Sequence, residues 1–268
     1  MRLDMSIRSE NVKPVLKGYM RSMRVNILIL VGTGDGLQLA KKLDLRAEFN
    51  VHIFVDKRSR LRSNLKVAGE ISSLRNEEFF HRFLIENGIE ALIDASHPFD
   101  KESTELCKRV SKLADIKLTH FLRPPWTPTI DDNWTSVRTL DEAAKTIPDG
   151  SNVFIATGRI GLEKFSKLTS SKLFIRRLGK VKMHCPLYNG KFIYGDPPFS
   201  LKDEISLFRS LKIDILVIKN VGGEGSFAKV EAARAMNISV IMIERPQKPW
   251  ANGIDIIPGI FKWMDHNL

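Results

Sequence analysis

The sequence predicts an α/β protein made of two Rossmann-like parallel-sheet domains with a ligand cleft between them. Three observations carry this. From Val25 onward, short β-branched and Leu-rich runs alternate with helical segments, the pattern of parallel strands joined by crossover helices. The strand runs are almost wholly apolar rather than alternating, as expected where helices cover both faces of a sheet. Pro124, Pro125 and Pro128, followed by Asp131, Asp132 and Asn133, interrupt the alternation and divide it into halves of similar size. These features assign residues 1–22 to a loose N-terminal extension, 23–128 to a first α/β domain and 129–268 to a second.

Each element has its own warrant. Met1 to Ser22 shows no hydrophobic period and holds Pro14 and Gly18; Met20 and Met23, just ahead of the first strand, make a later start an alternative. Val25–Val31 is an apolar run ending in glycines, Leu37–Leu43 reads as a helix, and Val51–Val55 as a second strand. Ser72–Asn87 has helical spacing with Gly88 as its stop. Ala91–Ala95 is a third strand, Ser103–Leu113 a helix and Lys117–Leu122 a fourth strand. After the proline break come a strand at Ser136–Leu140, a helix at Asp141–Thr146, a strand at Val153–Ala156, a helix at Leu162–Leu168 and a strand at Lys172–Arg177. The stretch through Pro186 and Gly190 reads as irregular. Lys202–Leu211 and Phe227–Met236 are helices, Ile215–Ile218 and Val240–Ile243 strands, and Pro258–His266 a closing helix.

Composition narrows the function. With 43% hydrophobic and 27% charged residues, the 268-residue chain is not disordered, and its 17 glycines and 12 prolines follow no collagen-like period. No apolar run approaches the ~18–20 residues that span a bilayer. Cys107 and Cys185 form no Cys-x-x-Cys pair, and the six histidines have no metal-ligand spacing, so neither a disulfide framework nor a metal is expected. A reducing cytoplasm fits this usage, and the charged start lacks the apolar core of a signal peptide. The net charge of +11 calls for an anionic partner. Basic residues are spread along the chain without a reading motif, which argues against nucleic acid. A cytoplasmic monomer with no membrane partner is the expectation.

In open parallel sheets, ligands bind beyond the carboxyl ends of the strands, so the residues just after each strand matter most. Gly32-Thr33-Gly34-Asp35-Gly36 follows the first strand; it is either a phosphate-approaching turn or simply a tight one, and it lacks the full dinucleotide spacing. Asp56 follows the second and suits a ribose hydroxyl, whereas Lys57, Arg58, Arg60 and Arg62 suit the extra phosphate of NADP, or form a solvated charge run. Ser96-His97-Pro98-Phe99 follows the third. Thr157-Gly158-Arg159 offers a hydroxyl, a glycine and a cation, and Lys219-Asn220-Val221-Gly222-Gly223 a lysine and glycines. There is no P-loop, no Tyr-x-x-x-Lys pair and no Gly-x-Ser-x-Gly elbow.

Taken in order, these segments resemble the precorrin-6A reductase family of cobalamin biosynthesis, which includes the cobalt-precorrin-6A reductases. The matching pieces are Gly32-Thr33, Asp94 to Phe99, Arg123-Pro124-Pro125-Trp126, Ala156 to Arg159 with Leu162 and Phe165, Pro198-Phe199-Ser200, Lys219 to Gly223, Ala228 to Arg234, and Ile243 to Pro246. The resemblance implies a two-domain reductase that uses NADPH, without flavin or metal, to reduce one double bond of precorrin-6A and give precorrin-6B. It implies a polycarboxylate substrate, in keeping with the positive charge. It directs Gly32, Thr33, Gly34, Ser96, His97, Thr157, Gly158 and Arg159 to the cofactor, and Lys219, Asn220, Gly222 and Gly223 to the substrate; no residue is assigned as catalytic. Leu37 and Val221 replace the family's usual Arg and Ser. The alternatives are a cobalt-precorrin-6A reductase and a non-catalytic tetrapyrrole or nucleotide carrier.

Overall fold

A computed structural model describes residues 24–56, 65–179, 183–246 and 253–268. The predicted extension over residues 1–22 and the cation cluster at Lys57, Arg58, Arg60 and Arg62 lie outside the described residues. The chain forms two compact units: one takes the described residues up to Leu122 together with those from Gly253 onward, the other those from Arg123 to Pro246.

The first unit holds five parallel strands: β1 (Val25–Val31), β2 (Phe49–Val55), β3 (Val67–Glu70), β4 (Ala91–Ala95) and β5 (Lys117–His120), in the order β3-β2-β1-β4-β5. β1 is central, and Ile27 to Val31 are all buried because side chains on both faces meet helices. On one face Ile27, Ile29 and Val31 pack with Leu39 and Leu43 of α1 (Gly34–Asp44). On the other, Leu28 and Leu30 pack with Phe80 and Leu84 of α2 (Glu77–Glu86) and Leu106 and Val110 of α3 (Lys101–Leu113). Each fully buried aliphatic or Phe side chain here contributes about 1.5–3 kcal/mol.

The second unit holds six parallel strands: β6 (Trp134–Val137), β7 (Asn152–Ala156), β8 (Lys172–Leu178), β9 (Gly190–Gly195), β10 (Ile215–Lys219) and β11 (Ser239–Ile243), in the order β6-β11-β10-β7-β8-β9. α4 (Leu140–Thr146) follows β6, α5 (Leu201–Leu211) follows β9, and α6 (Ala228–Ala235) follows β10. Phe208 of α5 and Val230 of α6 close over Phe154, Leu216 and Ile218 on one sheet face.

Several expectations are corrected. The closing helix, α7 (Ile257–Asn267), does not belong with residues 129–268: Ile260 and Met264 complete the apolar face of β1 in the first unit, and Ile254 bridges Phe121. An apolar helix face does not reveal in sequence which sheet it will cover. The boundary also falls at Leu122 rather than residue 128, because Arg123 and Trp126 are hydrogen-bonded to the loop after β10. The single helix expected over Ser72–Asn87 is a 3-10 turn, Ile71–Arg75, followed by α2. Asn76 separates them by accepting from Phe79 N at 2.8 Å, a helix N-cap. Leu162–Leu168 shortens to a 3-10 turn, Leu162–Phe165. The strand expected at Ser136–Leu140 lies two residues earlier, because Thr139 caps α4 by accepting from Glu142 N at 3.1 Å.

In both sheets the order of connection reverses once, between β1 and β4 in the first unit and between β7 and β10 in the second. These reversals are where open α/β sheets leave a crevice for ligand at the strand carboxyl ends.

Candidate functional site

At the reversal in the first unit, Val31 of β1 is the register partner of Ala95 of β4. The turn after β1 therefore leaves its strand beside Ser96 and His97, and Gly32 N donates to Ala95 O at 2.9 Å. A Cβ on Gly32 would lie 2.2 Å from His97 N and 2.7 Å from the Ser96 carbonyl carbon, so only glycine permits this approach. Thr33 caps α1, its hydroxyl accepting from Gly36 N at 3.1 Å. Gly34 differs: a Cβ there would meet no atom within 4 Å. The protein's own packing explains Gly32 and Thr33 and leaves open space at Gly34.

Ser96 is buried, its N donating to Asp94 Oδ1 at 3.0 Å and its hydroxyl 3.4 Å from that of Thr104 on α3. His97 is half-buried, and Phe99 N donates to its Nδ1 at 3.2 Å. That bond makes Nδ1 the acceptor, so in the neutral ring the proton sits on Nε2. Sequence reasoning passed over His120, at the end of β5. Its Nδ1 lies 3.1 Å from Asp94 Oδ2, with side-chain exposures of 11% and 2%. No local pattern marked it: β5 reads Lys-Leu-Thr-His, and only the strand register sets His120 opposite Asp94. Asp56 stands at the end of β2, its N donating to Val31 O at 3.1 Å.

At the reversal in the second unit, Ala156 of β7 is the partner of Ile218 of β10. This brings the segment Thr157-Gly158-Arg159 beside the segment that begins at Lys219. Thr157 is buried, yet its hydroxyl has no hydrogen-bond partner among the described residues. Gly158 adopts φ +89 and a Cβ there would meet nothing within 4 Å; Arg159 is exposed.

The residues after Lys219 serve a different purpose. Asn220 is 1% exposed and clamps Trp126: its Oδ1 accepts from Trp126 N at 2.8 Å, while its Nδ2 donates to Trp126 O at 3.0 Å and Glu244 Oε2 at 3.2 Å. Trp126 Nε1 donates to Gly223 O at 2.8 Å. Gly222, at φ +67, is required because a Cβ would sit 2.1 Å from Pro124 O. Arg245 completes the knot. Its Nε donates to Asn220 O at 2.8 Å, Nη1 to Arg123 O at 2.6 Å, and Nη2 to Val221 O at 2.8 Å and Pro124 O at 3.2 Å. Burial, with the Arg123 charge beside it, pulls the Arg245 guanidinium down to about 10, so it stays protonated at neutral pH. Asn220, Gly222 and Gly223 thus hold the loop to Arg123–Trp126 and to Arg245.

Packing leaves over the open backbone at Gly34 in the first unit and, separately, the unpaired Thr157 hydroxyl and the open backbone at Gly158 in the second. In the first unit, an open glycine at a helix amino end is what a phosphate-bearing nicotinamide cofactor needs, so that turn fits such a group. Among the described residues, no group of three or more His, Cys, Asp or Glu side chains could hold a metal ion, and no helix is long and apolar enough to cross a membrane.

Comparison with known proteins shows the family of the chain. The family model described as precorrin-6x reductase CbiJ/CobK matches residues 26–264. A precorrin-6A reductase of Rhodococcus erythropolis is 31% identical, over 89% of this chain and 96% of its own length. A cobalt-precorrin-6A reductase of Priestia megaterium is 28% identical, over 82% and 91%. A solved structure of CobK precorrin-6A reductase superposes with a TM-score of 0.82 at 27% identity, covering 91% of this chain and 97% of that one.

Proposed function

The chain belongs to the precorrin-6x reductase family, and from that premise we propose that it reduces precorrin-6A to precorrin-6B with NADPH. The observation that carries the reading is the pair of sheet reversals, each bearing an open glycine beside polar groups at the strand ends. Precorrin-6A is favoured over its cobalt form because the Rhodococcus relative, at 31%, is closer than the cobalt-precorrin relative, at 28%.

When bound, the nicotinamide supplies the hydride, so neither flavin nor metal is needed. Gly32 and Thr33 shape the first turn, and Gly34 leaves the protein backbone open to the cofactor phosphates. The Thr157 hydroxyl donates to a cofactor oxygen, with Gly158 leaving room for it. Arg159 and Lys219 attract cofactor phosphate or substrate carboxylate. His97, its ring oriented by the bond from Phe99 N to Nδ1, positions the ring system of the substrate. Lys57, Arg58, Arg60 and Arg62 select the 2′-phosphate of NADPH, and the usage of Cys107 and Cys185 points to a cytoplasmic enzyme.

Titration with each cofactor tests this. A charge-assisted phosphate contact of ~1.5–3 kcal/mol corresponds to about tenfold or more tighter binding of NADPH than of NADH. Equal affinities overturn the cofactor assignment, and no binding of either favours a carrier over an enzyme.

A further inference from the structure

A second charged group lies in the same unit, at the carboxyl edge of the sheet, and plays no part in the site above. Ile175 of β8 is the register partner of Ile155, so Arg176 stands level with Ala156, one residue before Thr157. Arg176 Nη2 lies 2.6 Å from Glu204 Oε2, and Lys229 Nζ lies 3.2 Å from Glu204 Oε1. Glu204 is in the first turn of α5 and Lys229 in the first turn of α6, so the Glu204 carboxylate ties the amino ends of both helices to Arg176. The side chains of Arg176, Glu204 and Lys229 are only 8%, 0% and 7% exposed.

Two buried cations therefore share one carboxylate. A well-balanced buried network would satisfy its charges and donors internally, and this one does not. Arg176 Nε has no acceptor among the described residues, and Glu204 Oε1 receives no well-aligned hydrogen bond. The Phe199 ring, 4.2 Å from the Arg176 guanidinium carbon and 5.0 Å from Lys229 Nζ, contributes its π face but no negative charge. The amino end of α6 adds a partial positive charge and has no side-chain cap. Burial lowers the pKa of both cations against the pull of Glu204, and the nearby Arg176 charge lowers that of Lys229 a little further.

We propose that Arg176 and Lys229 form an oxyanion subsite that accepts one carboxylate or phosphate group of a ligand, supplying the negative charge that Glu204 alone does not. The subsite rests on the reductase reading only in the identity of its anion, which is a carboxylate of the tetrapyrrole substrate or a phosphate of the cofactor. Uroporphyrin III, a polycarboxylate tetrapyrrole, and 2′,5′-ADP, a nucleotide phosphate, probe the two sources.

Binding of each probe to the full chain and to Lys229→Met, together with the melting temperature of both proteins without ligand, tests the subsite. Lys229→Met leaves Arg176 and Glu204 as a balanced pair, so its melting temperature is expected within about 2 °C of the parent. Loss of a charge-assisted contact is expected to weaken one probe about tenfold. Weakening of uroporphyrin III assigns the substrate carboxylate, and weakening of 2′,5′-ADP assigns the cofactor phosphate. Unchanged binding of both overturns the proposal. In the unsubstituted chain, the saturating probe is also expected to slow reductive methylation of Lys229, read by mass spectrometry. Equal labelling with and without probe overturns the proposal even where Lys229→Met does not fold. No turnover enters either measurement, so failure of the subsite and failure of the reductase reading are told apart.

Discussion

Gly32→Ala and Gly34→Ala change the same turn by the same methyl group, and the structure separates their consequences. At Gly32 the new Cβ would sit 2.2 Å from His97 N and 2.7 Å from the Ser96 carbonyl carbon, both backbone atoms at the end of a central strand. Relief requires a displacement of about 1 Å, which overpacking data place at ~1–3 kcal/mol. The same movement strains the 2.9 Å bond from Gly32 N to Ala95 O, worth about 1 kcal/mol. A loss of roughly 2–4 kcal/mol lowers the melting temperature of a unit this size by about 8 °C or more. At Gly34 the Cβ meets nothing within 4 Å, so stability should stay within about 0.5 kcal/mol. The methyl would instead occupy the space assigned to cofactor, and NADPH affinity should fall. Thermal unfolding and NADPH titration of both variants make the comparison. A Gly32→Ala protein that melts with the parent would refute the packing reasoning. A Gly34→Ala protein that binds NADPH normally would remove that glycine from the site.

Thr157→Val should keep or slightly raise stability, because an unpaired buried hydroxyl costs about 1–3 kcal/mol, yet weaken NADPH binding; a clear drop in melting temperature would show the hydroxyl is structural. Asn220→Ala removes the clamp on Trp126 and should cost about 2–4 kcal/mol by urea unfolding, with no dependence on ligand. Arg245→Lys keeps the charge but lacks the fork that reaches four carbonyl oxygens, so it should destabilise nearly as much as Arg245→Ala. At Asp132 burial alone would raise the carboxyl pKa, but the Arg234 fork and the Thr129 N and Oγ donors outweigh it and hold it below 3.8. The folded value lies below the unfolded one, so this stabilisation is full above about pH 4 and is lost as pH falls through the folded value. Asp132→Asn should therefore lose stability at neutral pH and approach the parent in acid, as urea unfolding across that range would reveal.

The strands buried on both faces were the most legible parts of the fold. β1 and β4 occupy the residues expected of them because apolar runs bounded by glycine, serine or proline leave little choice. β3 and β9 escaped notice for the opposite reason: both are short edge strands with no buried residue, and the apolar stretch of β9 is only Phe192 to Tyr194 between two glycines. At the sites, strand ends were readable but strand order was not. Only the observed pairing shows that Gly32 lies beside Ser96, and Thr157 beside Asn220's strand. The knot around Asn220 was equally hidden, since its members Trp126, Asn220 and Arg245 are far apart in sequence and meet only through folding. His120 carried no local signal, because its partner Asp94 is 26 residues away.

Incubating the purified chain with precorrin-6A and either NADPH or NADH, and following nicotinamide absorbance together with the mass of the tetrapyrrole, tests the central claim most directly. The expected result is oxidation of NADPH in step with formation of a product heavier by two hydrogens, with NADH much slower. Folded protein that binds precorrin-6A but oxidises neither cofactor would contradict it.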